Sequence, residues 1–239
     1  MSEDLFKLEE DMENIVLYVQ PAFNSLTDQV EYAEVLVRQY RSIFGADQIL
    51  KFVKDNGLEE SFDIAVFEKA IKTISGVVMP YPIGINLCPR TITIDNIVES
   101  ITSIILKYEV DPNNIIIEIN EGTNFQDSNI KRNLEKLHKI GLKIALDDFG
   151  VEQANLYSLV NYEFDILKID KAFVGSRGDS GKNVIIDILK QLCRAFKMKP
   201  IIEGVENEQQ LSNVTKFGYE VIQGFIYMKP VPLEKYEWI

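Results

Sequence analysis

Histidine and cysteine are almost missing from this chain of 239 residues, which has one of the first and two of the second. The lone histidine, His138, lies in LEKLHKIGLK and reads as a surface position on a helix. That leaves none for a histidine-dependent nucleophilic triad or a His-rich metal site. Cys88 and Cys193 form no CxxC pair, so neither structural zinc nor a disulfide framework is expected. Long apolar runs are missing too: Ile115–Ile117 falls far short of the roughly 20 residues of a membrane span. The N-terminal MSEDLFKLEEDMEN has neither the basic region nor the apolar core of a signal peptide, and a cytoplasmic chain is expected. No Pro/Gly/Ser-rich linker and no repeat divides the sequence. Positive charge is also short, with 25 Lys and Arg against 37 Asp and Glu and a net charge of −12. A field of that sign disfavours DNA, RNA and anionic lipid. A phosphate ligand stays open, because bound cations invert the local sign.

What is present is an ordinary globular composition, 46% hydrophobic and 26% charged, enough for one large core. Apolar runs alternate with helical periodicity. Strands are expected at Ile15–Val19, Val30–Val37, Ile83–Leu87, Ile115–Ile119, Lys143–Asp147, Phe164–Ile169, Pro200–Glu203 and Glu220–Gln223. Helices are expected at Glu59–Ile74, Ile94–Tyr108, Ser128–Ile140 (capped by Ser128, stopped by Gly141), Glu152–Val160, Lys182–Phe196 and Glu206–Phe217. A short tail, Pro230–Ile239, closes the chain. Only Ala22–Gln29 separates the first two strands, too short for a parallel crossover, so they should be antiparallel neighbours. Eight apolar strands alternating with helices predict an α/β fold, a (β/α)8 TIM-like barrel with its first strand antiparallel. It would occupy residues 1–239 as a single domain behind an acidic leader, 1–14. A doubly wound open sheet is the runner-up, but no GxGxxG loop supports it.

In such barrels the chemistry sits at the carboxyl ends of the strands. Those ends carry Asn86, Glu118 with Glu121, Asp147-Asp148, Lys168 with Asp170, Glu203, and Gln223. Glu34 lies within the second strand, with Arg38 four residues on. Asp147-Asp148 in IALDDFG is the focus. An adjacent aspartate pair on its own reads as a loop start that caps a helix. Carboxylates and amides recurring at six strand ends, with one lysine, read instead as a cation site. Oxygen ligands without histidine or thiolate suit Mg²⁺ or Mn²⁺. Two such ions can grip phosphate oxygens and hold an attacking water. A neighbouring lysine favours that water's deprotonated form, and a further glutamate can take the proton. The ligand types indicate metal-dependent phosphoester hydrolysis, although metal-assisted aldol or enolase-type chemistry uses similar groups.

These motifs, in this order, resemble those of the EAL-domain cyclic di-GMP phosphodiesterases. Glu34-Val35-Leu36 stands where that family has Glu-Ala-Leu, followed by Arg38. Ile85-Asn86-Leu87 and Glu118-Ile119-Asn120-Glu121 resemble its Val-Asn-Leu-Ser and Glu-Leu-Thr-Glu. Asp147-Asp148-Phe149-Gly150, Leu167-Lys168-Ile169-Asp170 and Glu203-Gly204-Val205-Glu206 match as written, and Gln223-Gly224-Phe225 resembles Gln-Gly-Tyr. The resemblance implies that Glu34, Asn86, Glu118 and Asp147 hold one metal, with Asp147 shared and Asp148 on a second. It implies that Lys168 polarises the attacking water and that Glu203 is general base or completes the metal shell. Glu121 would anchor the loop after Asp148, while Arg38, Gln223 and Asp170 would serve the dinucleotide. The implied reaction opens cyclic di-GMP to linear pGpG with Mg²⁺ or Mn²⁺, and Ca²⁺ would occupy the site without turnover. A homodimer is implied as well, and with no GGDEF, sensory or receiver segment any regulatory partner would act in trans.

Two departures stand out. Val35 for alanine adds little bulk. Val151-Glu152-Gln153 replaces the family's Thr-Gly-x-Ser-Ser, and losing its second glycine costs backbone freedom. The alternatives are therefore a weak or inactive module that binds cyclic di-GMP or a protein, and an unrelated barrel enzyme using Lys168 as a Schiff-base amine. Dense carboxylates around Lys168 argue against the latter, since they keep the amine protonated.

Overall fold

A computed structural model describes residues 15–40, 44–150, 156–175 and 180–238. Strands β1 (Ile15–Asn24) and β2 (Val30–Tyr40) form an antiparallel hairpin. A two-residue strand, β3 (Phe44–Gly45), follows on the edge of β2. Then come β4 (Ile83–Leu87), β5 (Ile115–Asn120), β6 (Lys143–Phe149), β7 (Ile166–Ile169), β8 (Lys199–Ile202) and β9 (Val221–Gln223). Each pairs in parallel with the one before, and β4 pairs in parallel with β2. Strand β1 closes the ring, antiparallel to both β2 and β9. The result is an eight-stranded barrel with its first strand reversed, as the short first connection requires. A last short strand, β10 (Val231–Pro232), lies along the outside edge of β1.

Helices α1 (Ala46–Asp55), α2 (Glu59–Ile74), α3 (Ile97–Tyr108), α4 (Ser128–Lys139), α5 (Leu156–Asn161), α6 (Ser180–Phe196) and α7 (Glu208–Lys216) lie between the strands. On α2 the face Phe62, Val66, Ala70 and Ile74 is buried, at the spacing the sequence shows.

The strand period of two sorts side chains between two cores. Ile115, Ile117 and Ile119 of β5, with Ile144, Leu146, Leu167 and Ile169, face outward and pack with the helices. Ala22, Tyr32, Ile116, Ala145, Ile166, Ile201 and Val221 face inward as a compact layer inside the ring. Two residues further along, on the same face of each parallel strand, stand Glu34, Glu118, Asp147, Lys168, Glu203 and Gln223. On the reversed β1 the count runs backwards, from Ala22 to Gln20. One apolar layer thus supports a polar one at the barrel mouth.

Several expectations shift. Strand β1 continues through Gln20 and Pro21 to Asn24. The Ala33 N–H opposite Pro21 turns away to the Pro82 carbonyl (3.1 Å), so proline's missing donor breaks no bond of that pair. Helix α4 is capped by Asp127, whose side chain accepts from the Asn129 N–H (2.8 Å), rather than by Ser128. Helix α1 has only two buried residues, Ile49 and Val53, too weak a stripe to read from sequence. Residues 151–155, including the altered Val151-Glu152-Gln153, lie outside the described residues, as does the leader 1–14.

His138 is half-buried rather than a free surface residue. Its Nε2 lies 2.9 Å from Asp165 Oδ2, which also accepts from the Ile144 N–H (2.8 Å). The Asp165 hydrogen bond raises the affinity of His138 for its proton, and the imidazole pulls Asp165 below the usual carboxylate range against its desolvation. A histidine whose folded-state pKa is raised stabilises the fold fully below its unfolded value, about 6.5, and loses that contribution as pH rises through the folded value. We expect His138→Gln to cost about 0.5–1 kcal/mol near pH 6, a partly screened pair, and clearly less near pH 9. Urea denaturation at both pH values checks the sign.

Candidate active site

Strand β6 delivers two neighbouring aspartates to one place, which a regular strand cannot do because adjacent side chains point to opposite faces. The register between β6 and β7 slips between Leu146 and Phe149, and Asp148 takes a left-handed backbone (φ 55°). This irregularity turns Asp148 back toward the mouth. Asn120 Nδ2 donates to Asp148 Oδ2 (2.9 Å), and the Asp148 N–H donates to Asp147 Oδ1 (2.9 Å). Gly150 follows at φ 97°, where a Cβ would meet the Phe173 ring at 2.6 Å, so only glycine fits. The Gly150 N–H donates to Glu121 Oε2 (2.7 Å), and the Glu121 N–H to the Asp147 carbonyl (3.1 Å). Glu121 thereby fixes both ends of the turn. Glu121→Ala leaves the Gly150 N–H without this acceptor, and we expect it to destabilise the fold by about 1–2 kcal/mol. Urea denaturation checks it.

At the centre is Lys168, fully buried. Its Nζ lies 2.5 Å from Glu118 Oε2, 2.9 Å from Glu203 Oε1, 3.1 Å from Asp147 Oδ1 and 3.3 Å from Glu34 Oε2. Asn86, solvent-exposed at the mouth, donates to Glu34 Oε1 (3.1 Å), and Gln223 donates to Glu34 Oε2 (2.9 Å). One ammonium cannot neutralise four carboxylates. Burial pushes Glu118 up to about 7, and Asp147 adds to the rise while Lys168 opposes it. Burial likewise pushes Glu203 well up, Lys168 again opposing and Asp147 and Glu34 adding. Asp148 rises to about 6, by burial and then by the Asp147 charge. Burial alone would lower the Lys168 pKa, but Asp147, Glu118, Glu203 and Glu34 hold it well above the ordinary value. An amine so firmly protonated has no lone pair for Schiff-base chemistry.

This surplus of negative charge is the environment a divalent cation relieves. Two carboxylate triplets each bring oxygens within 4.8 Å of one another: Glu34, Glu118 and Asp147, then Asp147, Asp148 and Glu203. They share Asp147. Glu118 Oε1 is buried without a hydrogen-bond partner. All donors are oxygens, the set that hard cations such as Mg²⁺ and Mn²⁺ take.

Beside this cage a cleft is lined by Arg38, Asp170, Lys171, Glu203, Gln223 and Phe225. Phe225 is 52% exposed, with Lys229 Nζ 5.6 Å from its ring centroid. Asp170 spends one oxygen on its own turn, accepting from the Ala172 N–H (2.6 Å). Gln20 also lines the cleft and donates to the Met228 carbonyl (3.1 Å), and the sequence reading missed it. It sits mid-strand on the one reversed strand, where no strand end draws attention to it.

The EAL domain family model matches residues 7–230. The chain is 31% identical over 234 residues to the probable cyclic di-GMP phosphodiesterase PdeA of Escherichia coli K12, covering 93% of this chain and 31% of PdeA. It is 27% identical over 237 residues to the cyclic di-GMP phosphodiesterase PdeL of the same organism, covering 93% and 64%. The chain thus spans less than two thirds of these relatives. Among solved structures, the PaMucR phosphodiesterase in complex with c-di-GMP superposes with a TM-score of 0.85 at 27% identity, covering 93% of this chain and 99% of that one. A standalone EAL protein from Vibrio cholerae O395 in its c-di-GMP-bound form gives 0.82 at 25% identity, covering 92% and 93%. By sequence and by fold, this chain belongs to the EAL domain family.

Proposed function

We propose that this barrel is a metal-dependent phosphodiesterase that opens cyclic di-GMP to linear pGpG. The observation that carries the reading is the pair of carboxylate triplets sharing Asp147 around one buried ammonium. Glu34, Asn86, Glu118 and Asp147 would hold one cation, and Asp147 with Asp148 a second, with Glu203 either completing that shell or acting as general base. Mg²⁺ or Mn²⁺ bound there would polarise the phosphodiester and acidify a coordinated water.

The chain's own groups do the rest. Lys168, charged and immobile among its carboxylates, favours the deprotonated form of a water beside it. Where Glu203 stays off the cation, its carboxylate beside Lys168 takes the proton that this water gives up. Arg38 supplies a cationic fork for phosphate oxygens, and Gln223 orients Glu34 and the dinucleotide together. Phe225 offers an exposed ring on which a guanine can stack. Ca²⁺, larger and less exacting in geometry, would occupy the site and inhibit. The active form would be a homodimer, supported by exposed apolar side chains at Leu156, Tyr157 and Val160 of α5 and at Val184, Ile185 and Ile188 of α6.

The test incubates purified protein with cyclic di-GMP and Mn²⁺ and separates nucleotides by chromatography. Appearance of pGpG is the expected result. Tight binding with no product over hours would make the barrel a receptor, and neither binding nor product would reject the assignment.

A further inference from the structure

Beneath the carboxylate cage, the inner layer of the barrel holds one polar side chain that the chemistry above does not use. Tyr32 is 1% exposed, and its hydroxyl has no hydrogen-bond partner. It is two residues before Glu34 on β2 and so points into the ring, among Ala22, Ile116, Ala145 and other apolar side chains. Directly opposite Glu34 on β4 stands Gly84, paired on its other side with Ile116 of β5. A Cβ at Gly84 would lie 1.8 Å from Glu118 Oε1 and 2.0 Å from the Tyr32 hydroxyl oxygen. The sum of those two distances bounds the separation of the oxygens, so they are close neighbours. They share the space that a side chain at position 84 would fill. Both are buried, and both lack a partner.

A buried phenol and a buried carboxylate oxygen, each unsatisfied, each cost free energy, and one hydrogen bond between them relieves both. We propose that Tyr32 is a positioning residue: a small rotation into the gap left by Gly84 lets its hydroxyl, unpartnered in this structure, donate to Glu118 Oε1. Glu118 then has one oxygen tied to the barrel interior, while Oε2 stays with Lys168 and the neighbouring carboxylates. The carboxylate cannot rotate, and it meets a cation already oriented. The inference rests on the metal-site reading of Glu118, and its test separates the two.

Tyr32→Phe keeps the ring and removes only the donor. Mn²⁺ binding is followed by titration calorimetry, and the thermal midpoint is measured in EDTA. The expected result is a 10–100-fold weaker Mn²⁺ affinity, the range for lost outer-shell hydrogen bonds, with the EDTA midpoint lowered by no more than about ten degrees, as leaving one buried acceptor unpaired requires. In a Glu118→Gln background the same change should add nothing. Wild-type Mn²⁺ affinity in Tyr32→Phe would overturn the proposal, and so would an equal loss in the Glu118→Gln background. If the parent protein binds no Mn²⁺, the metal-site reading itself has failed. Should Tyr32→Phe not fold, a crystal structure of the parent decides the matter. An Oη–Oε1 distance of about 2.5–3.0 Å supports the pairing, and a separation beyond about 3.5 Å overturns it.

Discussion

Lys168→Ala should lower cyclic di-GMP hydrolysis about 10²–10³-fold, the range lost when one fixed, charge-stabilising donor is removed from an active site. The same change removes the only cation within reach of Glu34, Glu118, Asp147 and Glu203 among the described residues. Breaking a buried ion pair from one side costs on the order of 3–5 kcal/mol, because uncompensated charge stays buried. The variant should therefore melt well below the parent in EDTA, and Mn²⁺ should raise its midpoint more than it raises the parent's. Lys168→Arg should not rescue activity: Lys168 is 0% exposed, and the wider guanidinium has no room. A variant with near-parent rates would show that the buried ammonium is structural only.

Removing divalent cations should have an effect as large. Chelation is expected to bring hydrolysis to background, with full return on adding Mg²⁺ or Mn²⁺ and none on adding Ca²⁺, whose larger radius and looser coordination misplace the diester. The metal should also stabilise the fold, by about 2.7 kcal/mol at a hundred times its dissociation constant. Calorimetric melting with and without each ion measures this independently of turnover. Full activity in EDTA would end the two-cation reading.

The eight strands were legible because each is a short apolar run of β-branched residues bounded by turns, and the reversed first strand followed from a connection too short to cross over. The parts of the cage that sit two residues beyond the inner layer were legible for the same reason, since alternation fixes the face. What was not legible depends on tertiary context. Pro21 looks like a terminator, yet it continues β1 because the amide opposite it turns to the other neighbour. Asp147-Asp148 reads as a strand end, whereas the chain bulges and Asp148 enters the left-handed region so that both carboxylates face one site. His138 looked solvated, and only the fold shows Asp165 beside it. Tyr32 and Gly84 read as ordinary strand residues, and their size complementarity appears only once β2, β4 and β5 are side by side.

The central claim is that Asp147 is shared between two cations held by carboxylates at one barrel mouth. A crystal structure with Mn²⁺ and a hydrolysis-resistant phosphorothioate analogue of cyclic di-GMP, read by anomalous scattering, measures it most directly. Two peaks about 3.5–4 Å apart, both contacting Asp147, with the diester across them, are predicted. A dinucleotide seated away from Asp147, with no ion between it and the four carboxylates around Lys168, would contradict it.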